Sequence, residues 1–395
     1  MATYDLFIDR AESYTFSESS REIGKKNKTQ QHQRTDVLKN YFTNYELAKS
    51  RAFVYRNRVL DNLDKLLLDF ESVFSKRGGK VLWINNEKDA HNELVKIVQK
   101  HKAKYVYMGE SALADELKLE VGLNKEKITI FSQEPYNIAI AQANFICVEG
   151  GIIATANNDL RSYKTLQQAD VQIYYVGIES VTQTLAELDF MLQLQSLNMH
   201  GESSFEYSNF IAGNDSKLNQ ETYLMLVDNG RTNILKDNIQ KPALTCIHCN
   251  TCVNISNVVN NAGIRAYDTI YTGPIGTLLS PKIQTQEDYS HLYFTGILDG
   301  DAEKVCPVKI DFTKLTLHNR KAFVKSGLSS KKDNISFYFW KNAMLKRNTM
   351  DKGGATFKNF MLRQFFKKSW GNRREFPTAV EKSFNQMWRE RKGIK

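Results

Sequence analysis

Cys246, Cys249 and Cys252 stand at two-residue intervals in "TCIHCNTCVNISN", and Cys306 precedes Pro307 in "EKVCPVKI". Thiolates so spaced on a short loop can converge on one inorganic centre. In the bacterial ferredoxin run, C-x2-C-x2-C-x3-C-P, the fourth cysteine ligates the other cluster of a two-cluster protein. The first three therefore need a distant partner, usually the cysteine before proline in a second motif. Cys306 supplies it, 54 residues beyond Cys252. The expected cofactor is one 4Fe-4S cluster, its iron held by Cys246, Cys249, Cys252 and Cys306. A second cluster would need cysteines at position 256 and at ten, seven and four residues before Cys306; those places hold Ser256, Gly296, Asp299 and Ala302. The second cluster is therefore expected to be absent. Four thiolates also suit a closed zinc site, although zinc usually takes two C-x2-C knuckles. Zinc, or thiols without a ligand, stay open as alternatives. His248, inside the loop, either tunes the centre through a hydrogen bond or faces solvent.

The remaining cysteine, Cys147 in "ANFICVEGG", reads as a buried apolar thiol. Five cysteines, four of them clustered, in a chain without an export signal point to metal or redox chemistry rather than to structural disulfides. The opening "MATYDLFIDRAESY" is not a secretory leader, and no run of eighteen apolar residues occurs. The expected location is the cytoplasm, with docking at the inner face of the membrane as an option. There is no P-loop, G-x-G-x-x-G, G-x-S-x-G or H-E-x-x-H.

The elements that must position the cysteines follow from periodicity. Residues 1–35 are polar and read as a loosely docked arm. From about 36 to 76 the pattern is helical, with Val59, Leu63, Leu66, Phe70 and Val73 on one face, ended by Gly78-Gly79. Then "KVLWI", "KYVYM", "KITIF" and "VQIYYVG" read as buried strands. Asn86 suits the cap of a helix whose stripe is Ala90, Leu94, Ile97 and Val98. "FICVEGGIIATA" reads as a hairpin about Gly150-Gly151. A helix carries Val181, Leu185, Leu188 and Leu192 on one face. "YLMLVDNGRTNIL" gives a strand, a turn at Asn229-Gly230 and a helix start. Strands alternating with helices imply an α/β fold with a mostly parallel sheet covered on both faces. Beyond about residue 236 strand-like runs become sparse and the cysteines appear.

Charge is unevenly placed. Residues 318–395 hold 20 Lys and Arg against 5 Asp and Glu, whereas the rest holds 34 against 39. Such a tail suits an anionic surface or simply a solvated helical one. It interleaves Phe365, Phe366, Trp370 and Trp388 with basic residues. That pattern suits single-stranded nucleic acid, but packing of amphipathic helices is the preferred reading, and no specific nucleic acid is expected.

Several stretches together resemble the lactate-utilisation iron–sulfur protein B family, in which a LUD domain precedes a helical ferredoxin domain. They are "VGIESVTQTLAELDFMLQLQ", "LMLVDNGRTNIL", the cysteine run, "AYDTIYTGPIGTLLSP" and "VCPVKI", spanning about residues 50–320. The resemblance implies a LUD-type, sugar-isomerase or CoA-transferase-like α/β sheet, then an all-α ferredoxin-like domain and a basic helical extension. The corresponding segments are 1–75 (arm and helices), 76–236 (LUD), 237–317 (ferredoxin-like) and 318–395 (extension). It also implies an electron-transfer subunit of a cytoplasmic, NAD-independent L-lactate oxidation complex, rather than a complete enzyme. The partners would be a cysteine-rich iron–sulfur subunit and a second LUD-domain subunit. Members of the family typically carry cysteines for two clusters, and this chain keeps one set. The family's "ETGT…TNEGNGR" loop appears as "EGGIIATANNDLRS", in which Glu149, Gly151 and Asn158 match and mark a candidate small-molecule pocket. The alternative is a scaffold or binding protein whose iron–sulfur or zinc site is structural.

Overall fold

In a computed structural model the described residues are 2–131, 137–214, 220–283, 289–329, 331–345, 354–370 and 375–393. The chain forms two compact units, Met1–Lys325 and Ser326–Lys395. In the first, helices α1 (Ala2–Thr15), α2 (Glu18–Tyr41), α3 (Tyr45–Asp61) and α4 (Leu63–Lys76) precede strand β1 (Lys80–Ile84). There follow α5 (Glu87–Lys100), β2 (Tyr105–Met108), α6 (Ala112–Glu116), α7 (Leu119–Lys125), β3 (Thr129–Ile130), β4 (Ile138–Gln142), β5 (Phe145–Cys147) and β6 (Ile152–Asn157). Next come α8 (Leu160–Gln168), β7 (Val171–Gly177), β8 (Val181–Thr182), α9 (Leu185–Met199), β9 (Tyr207–Ile211), β10 (Glu221–Val227) and α10 (Arg231–Leu235). Short helices carry the cysteine segments: α11 (Thr251–Ile255), α12 (Asn257–Ala262), α13 (Gly273–Ile283), α14 (Asp301–Val305) and the longer α15 (Phe312–Lys325).

The six-stranded sheet runs β1-β10-β7-β4-β2-β3, every pairing parallel. Alternation assigns its two faces. Val171, Ile173 and Tyr175 of β7, with Tyr223, Met225 and Val227 of β10, pack against Leu94, Val98, Leu117 and Leu123 of α5 to α7. Tyr174, Val176, Leu224 and Leu226 point the other way, onto Leu66, Phe70 and Phe74 of α4 and onto Ile146 and Ile153. Both faces are buried, so these strands read as unbroken apolar runs, as parallel strands do. Asn86 caps α5 as expected, accepting from the Asp89 N–H at 3.0 Å.

The hairpin about Gly150-Gly151 forms, with φ of 85° and 58° at the two glycines. It belongs to a second, four-stranded sheet, β8-β5-β6-β9, that the sequence pattern did not announce. Two strands it needs are two residues long or mostly half-buried, so neither gives a clean alternation. Val181 lies in β8, outside helix α9, and Leu185 is exposed, because Thr184 caps the helix there through the Glu187 N–H. The helical span expected over 36–76 is the end of α2 followed by α3 and α4, with breaks at Phe42 to Asn44 and at Asn62.

The largest departure is at the N-terminus. The polar arm is helical, and α1 and α2 both pack on α12. The buried residues of α2 are Ser20, Gly24, Gln31 and Leu38, with one large apolar side chain among them. A contact made by small and polar groups leaves no hydrophobic stripe to read. At Gly24 an added Cβ would lie 2.6 Å from the Asn260 carbonyl oxygen, so only glycine lets the helices approach so closely.

The second unit contains α16 (Lys331–Leu345), α17 (Gly354–Trp370) and α18 (Phe384–Lys392). Among its described residues none is buried. Phe337, Tyr338, Phe339 and Trp340 are exposed, as four consecutive aromatics cannot share one helix face. The side chains of Phe365, Phe366 and Trp370 lie outside the described residues. No helix among the described residues is long and apolar enough to cross a membrane.

Candidate functional site

Cys246, Cys249, Cys252 and Cys306 line one cavity of about 670 Å³. Its floor is the carboxyl edge of the parallel sheet. Gly109 to Ala112 follow β2 and Ala143 and Asn144 follow β4, while Asn157 and Asn158, at the end of β6 in the second sheet, also line it. Open α/β sheets place their ligand sites at this edge, where the loops gather. The cysteine segment closes the cavity from above.

Local backbone aims the thiols. His248 and Asn250, alternating with the cysteines, adopt φ of 52° and 58°. Asparagine and histidine are the side chains, with aspartate, that best tolerate this left-handed region. Backbone N–H groups reach two of the sulfurs: His248 donates to Cys246 Sγ at 3.3 Å and Ile310 donates to Cys306 Sγ at 3.4 Å. The Cys249 thiol contacts Thr251 Oγ1 at 3.3 Å, and that hydroxyl donates to Asn198 Oδ1 at 3.2 Å. Burial raises all four thiols above their ordinary value, Cys306 to about 12. At Cys246 and Cys252 the neighbouring cysteines raise them further. A metal centre entering here would therefore displace protons.

The donor set fits an iron–sulfur cluster. Four thiols from two segments surround a hollow, and N–H donors aim at sulfur, the arrangement that tunes such clusters. Among the described residues no three His, Cys, Asp or Glu groups converge closely enough to hold a single ion.

Three buried polar systems hold the loop. The Arg56 guanidinium donates to the carbonyls of Thr245, Leu244 and Val181 at 3.1, 3.1 and 3.2 Å. Burial lowers it to about 10, so it keeps its charge at neutral pH, beside Cys246. An amide relay follows: the Ala156 N–H donates to Asn144 Oδ1, Asn144 Nδ2 to Gln195 Oε1, and Gln195 Nε2 to the Ile247 carbonyl at 2.7 Å. Behind His248 lies an ion cluster. Arg231 donates to Glu116 at 2.8 and 3.0 Å and to Glu179 at 3.0 Å. The Tyr271 hydroxyl donates to Glu116 at 2.6 Å, and its ring lies 5.5 Å from that of His248. Burial alone would raise the Glu116 carboxyl. Arg231, together with hydrogen bonds from Arg231, Tyr271 and Asn229, holds it below the usual carboxylate range. His248 is half-buried, and burial pushes its imidazole pKa down.

The three hairpin residues are not brought together. Asn158 lines the cavity and accepts from the Glu206 N–H at 3.0 Å. Glu149 and Gly151 stand at the turn, about 20 Å away along β6 at ~3.3 Å per residue. There Glu149 caps α9, accepting from the Leu185 N–H at 2.8 Å, while Gly151 packs on the Phe74 backbone. Spacing missed Thr155, a buried cavity-lining hydroxyl without a partner among the described residues, and the Arg231 ion cluster. The cluster joins residues as much as 155 positions apart, and no local pattern could reveal it. Cys147 is buried, as expected.

Fold and site together define a two-part protein: a parallel α/β sheet capped by a helical four-cysteine segment. This chain is a relative of proteins named lactate utilization protein B, the resemblance its motifs carry. That from Geobacillus sp. (strain WCH70) is 26% identical over 71% of this chain and 73% of its own length. Those from Oceanobacillus iheyensis and Anoxybacillus flavithermus are 25% and 24% identical, each over 88% of this chain and over 88% and 90% of their own. No protein-family model matches. Among solved structures, a DUF162 family protein from Deinococcus radiodurans aligns over 42% of this chain and 97% of its own at 13% identity. Its TM-score of 0.30 carries no argument about fold.

Proposed function

We propose that the chain is an iron–sulfur electron-transfer subunit of a lactate-utilisation system, holding one 4Fe-4S cluster on Cys246, Cys249, Cys252 and Cys306. The observation that carries this reading is the gathering of those four thiols, and not of Cys147, around one cavity. The names of the relatives supply the metabolic setting. The cluster would supply one-electron storage. The chain's own residues would bind it, direct N–H groups at its sulfurs and place the Arg56 charge beside Cys246, all of which bear on its potential. Oxidation of lactate would then need partners, which we take to be a cysteine-rich iron–sulfur subunit and a second LUD-domain protein in the cytoplasm.

Anaerobic purification tests the reading. About four iron and four sulfide per chain, with a paramagnetic signal that appears on one-electron reduction, would support it. Stoichiometric zinc would overturn it. A full cluster that never changes redox state under any tested potential would favour a structural role for the site.

A further inference from the structure

Ser256, Gly296, Asp299 and Ala302, picked out by spacing alone, line one small cavity of about 50 Å³. They come from two segments some forty residues apart. Four positions fixed by the arithmetic of a second cluster have met in space, yet none carries a thiol. We propose that this is the ligand frame of a second cluster site, converted in this chain into a polar tie between α2 and the cysteine segment, so that a single electron station remains.

Each former ligand position has another task. Ser256 Oγ accepts from the Val259 N–H at 3.3 Å, capping α12, and the Tyr267 hydroxyl hydrogen-bonds the same side chain. Asp299 accepts from Asn257 Nδ2 at 2.8 Å and from the Asp301 N–H at 3.2 Å. Asn257 Nδ2 also reaches Asp301 at 3.3 Å, and its Oδ1 accepts from Lys28 Nζ of α2. The Gly296 carbonyl accepts from Arg320 at 2.5 Å, and Ala302 is buried. The void that remains, about 50 Å³, is more than tenfold smaller than the cysteine cavity. A cluster here would have bound the 256–262 segment to the 296–303 segment through metal. The Asn257–Asp299–Asp301 bonds make that link instead, and Lys28 extends it to α2.

The inference rests on the one-cluster reading only for the phrase "single electron station", and the test separates the two. The variant S256C/G296C/D299C/A302C, reconstituted anaerobically beside wild type, should gain about four iron over whatever wild type holds. If wild type holds none, the one-cluster reading fails while the gain still measures the frame. A folded quadruple variant with no gain overturns the proposal. Should that variant not fold, Asn257→Ala decides. Hydrogen exchange in α2 should quicken about tenfold or more, as expected for loss of a charge-assisted bond, with exchange in α5 unchanged. Unchanged exchange in α2 overturns the tie.

Discussion

Two cavities built on one pattern of spacings differ more than tenfold in volume, about 670 against about 50 Å³. The larger is lined by four thiols, three buried and Cys246 half-buried, all shifted upward by burial. The smaller holds no thiol and is lined by Ser256, Gly296, Asp299 and Ala302. On the proposed conversion, the polar groups of the smaller site find partners in one another, because a buried unpaired group is costly. Each site also keeps its own kind of support. The cysteine cavity is braced from behind by a fully buried ion cluster, whereas the converted site is tied by bonds that reach the surface.

The sharpest way to break the comparison is Cys306→Ala. It removes the one ligand that the second segment gives to the larger cavity. Iron content of anaerobically prepared protein should fall from about four per chain to near zero. Retention of full iron would remove Cys306 from the ligand set and with it the arithmetic that also located the smaller cavity.

Next in size is Glu116→Ala. It leaves Arg231, 2% exposed, without its best partner. Breaking a buried pair in this way costs about 3–5 kcal/mol, which denaturant unfolding would register. The sign with pH follows from the lowered Glu116 carboxyl. Its contribution is present above the unfolded value of about 4.3 and is lost as pH falls through the lower folded value. The variant should therefore differ from wild type most at neutral pH and least in acid. A loss below about 1 kcal/mol would mean that the cavity's rear wall is not the brace that the bonds suggest.

How much of this was legible in the sequence differs between the same regions. Most of the parallel sheet was readable because its central strands β7 and β10 are buried on both faces and apolar throughout, as in "VQIYYVG", although central β4 (Ile138–Gln142) was not read as a strand. The gathering of Cys246, Cys249, Cys252 and Cys306 at one cavity was readable because their spacing sets three of them on one short loop and the fourth before a proline. The α2 docking was not, since Gly24, Gln31 and Ser20 carry no periodic signal. Nor was the Arg231–Glu116–Glu179 cluster, whose members are joined by the sheet and not by neighbouring positions. The hairpin motif misled in a specific way: matching residues Glu149, Gly151 and Asn158 sit at opposite ends of β6, one end capping a helix and the other facing the cavity.

Gly24→Ala probes the docking of α2 on the converted side. A methyl group placed 2.6 Å from the Asn260 carbonyl oxygen meets backbone, which cannot swing aside. Overpacking of this kind costs about 1–3 kcal/mol. The loss should appear as faster exchange in α2 and α12, with the iron content of the larger cavity unchanged. An unaltered or stabilised protein would show that α2 does not rest on α12 as described.

The smallest effect, and the finest discriminator, belongs to Ser256→Ala. In a two-cluster ferredoxin this position holds a ligand, and its loss would empty a site. Here its oxygen caps α12 through the Val259 N–H, and its side chain hydrogen-bonds the Tyr267 hydroxyl. Removing a serine cap costs about 1 kcal/mol, and the expected result is a modest shift of the unfolding midpoint at constant iron. Loss of iron on this change would place Ser256 at the working centre after all, and the two cavities would no longer be separate sites.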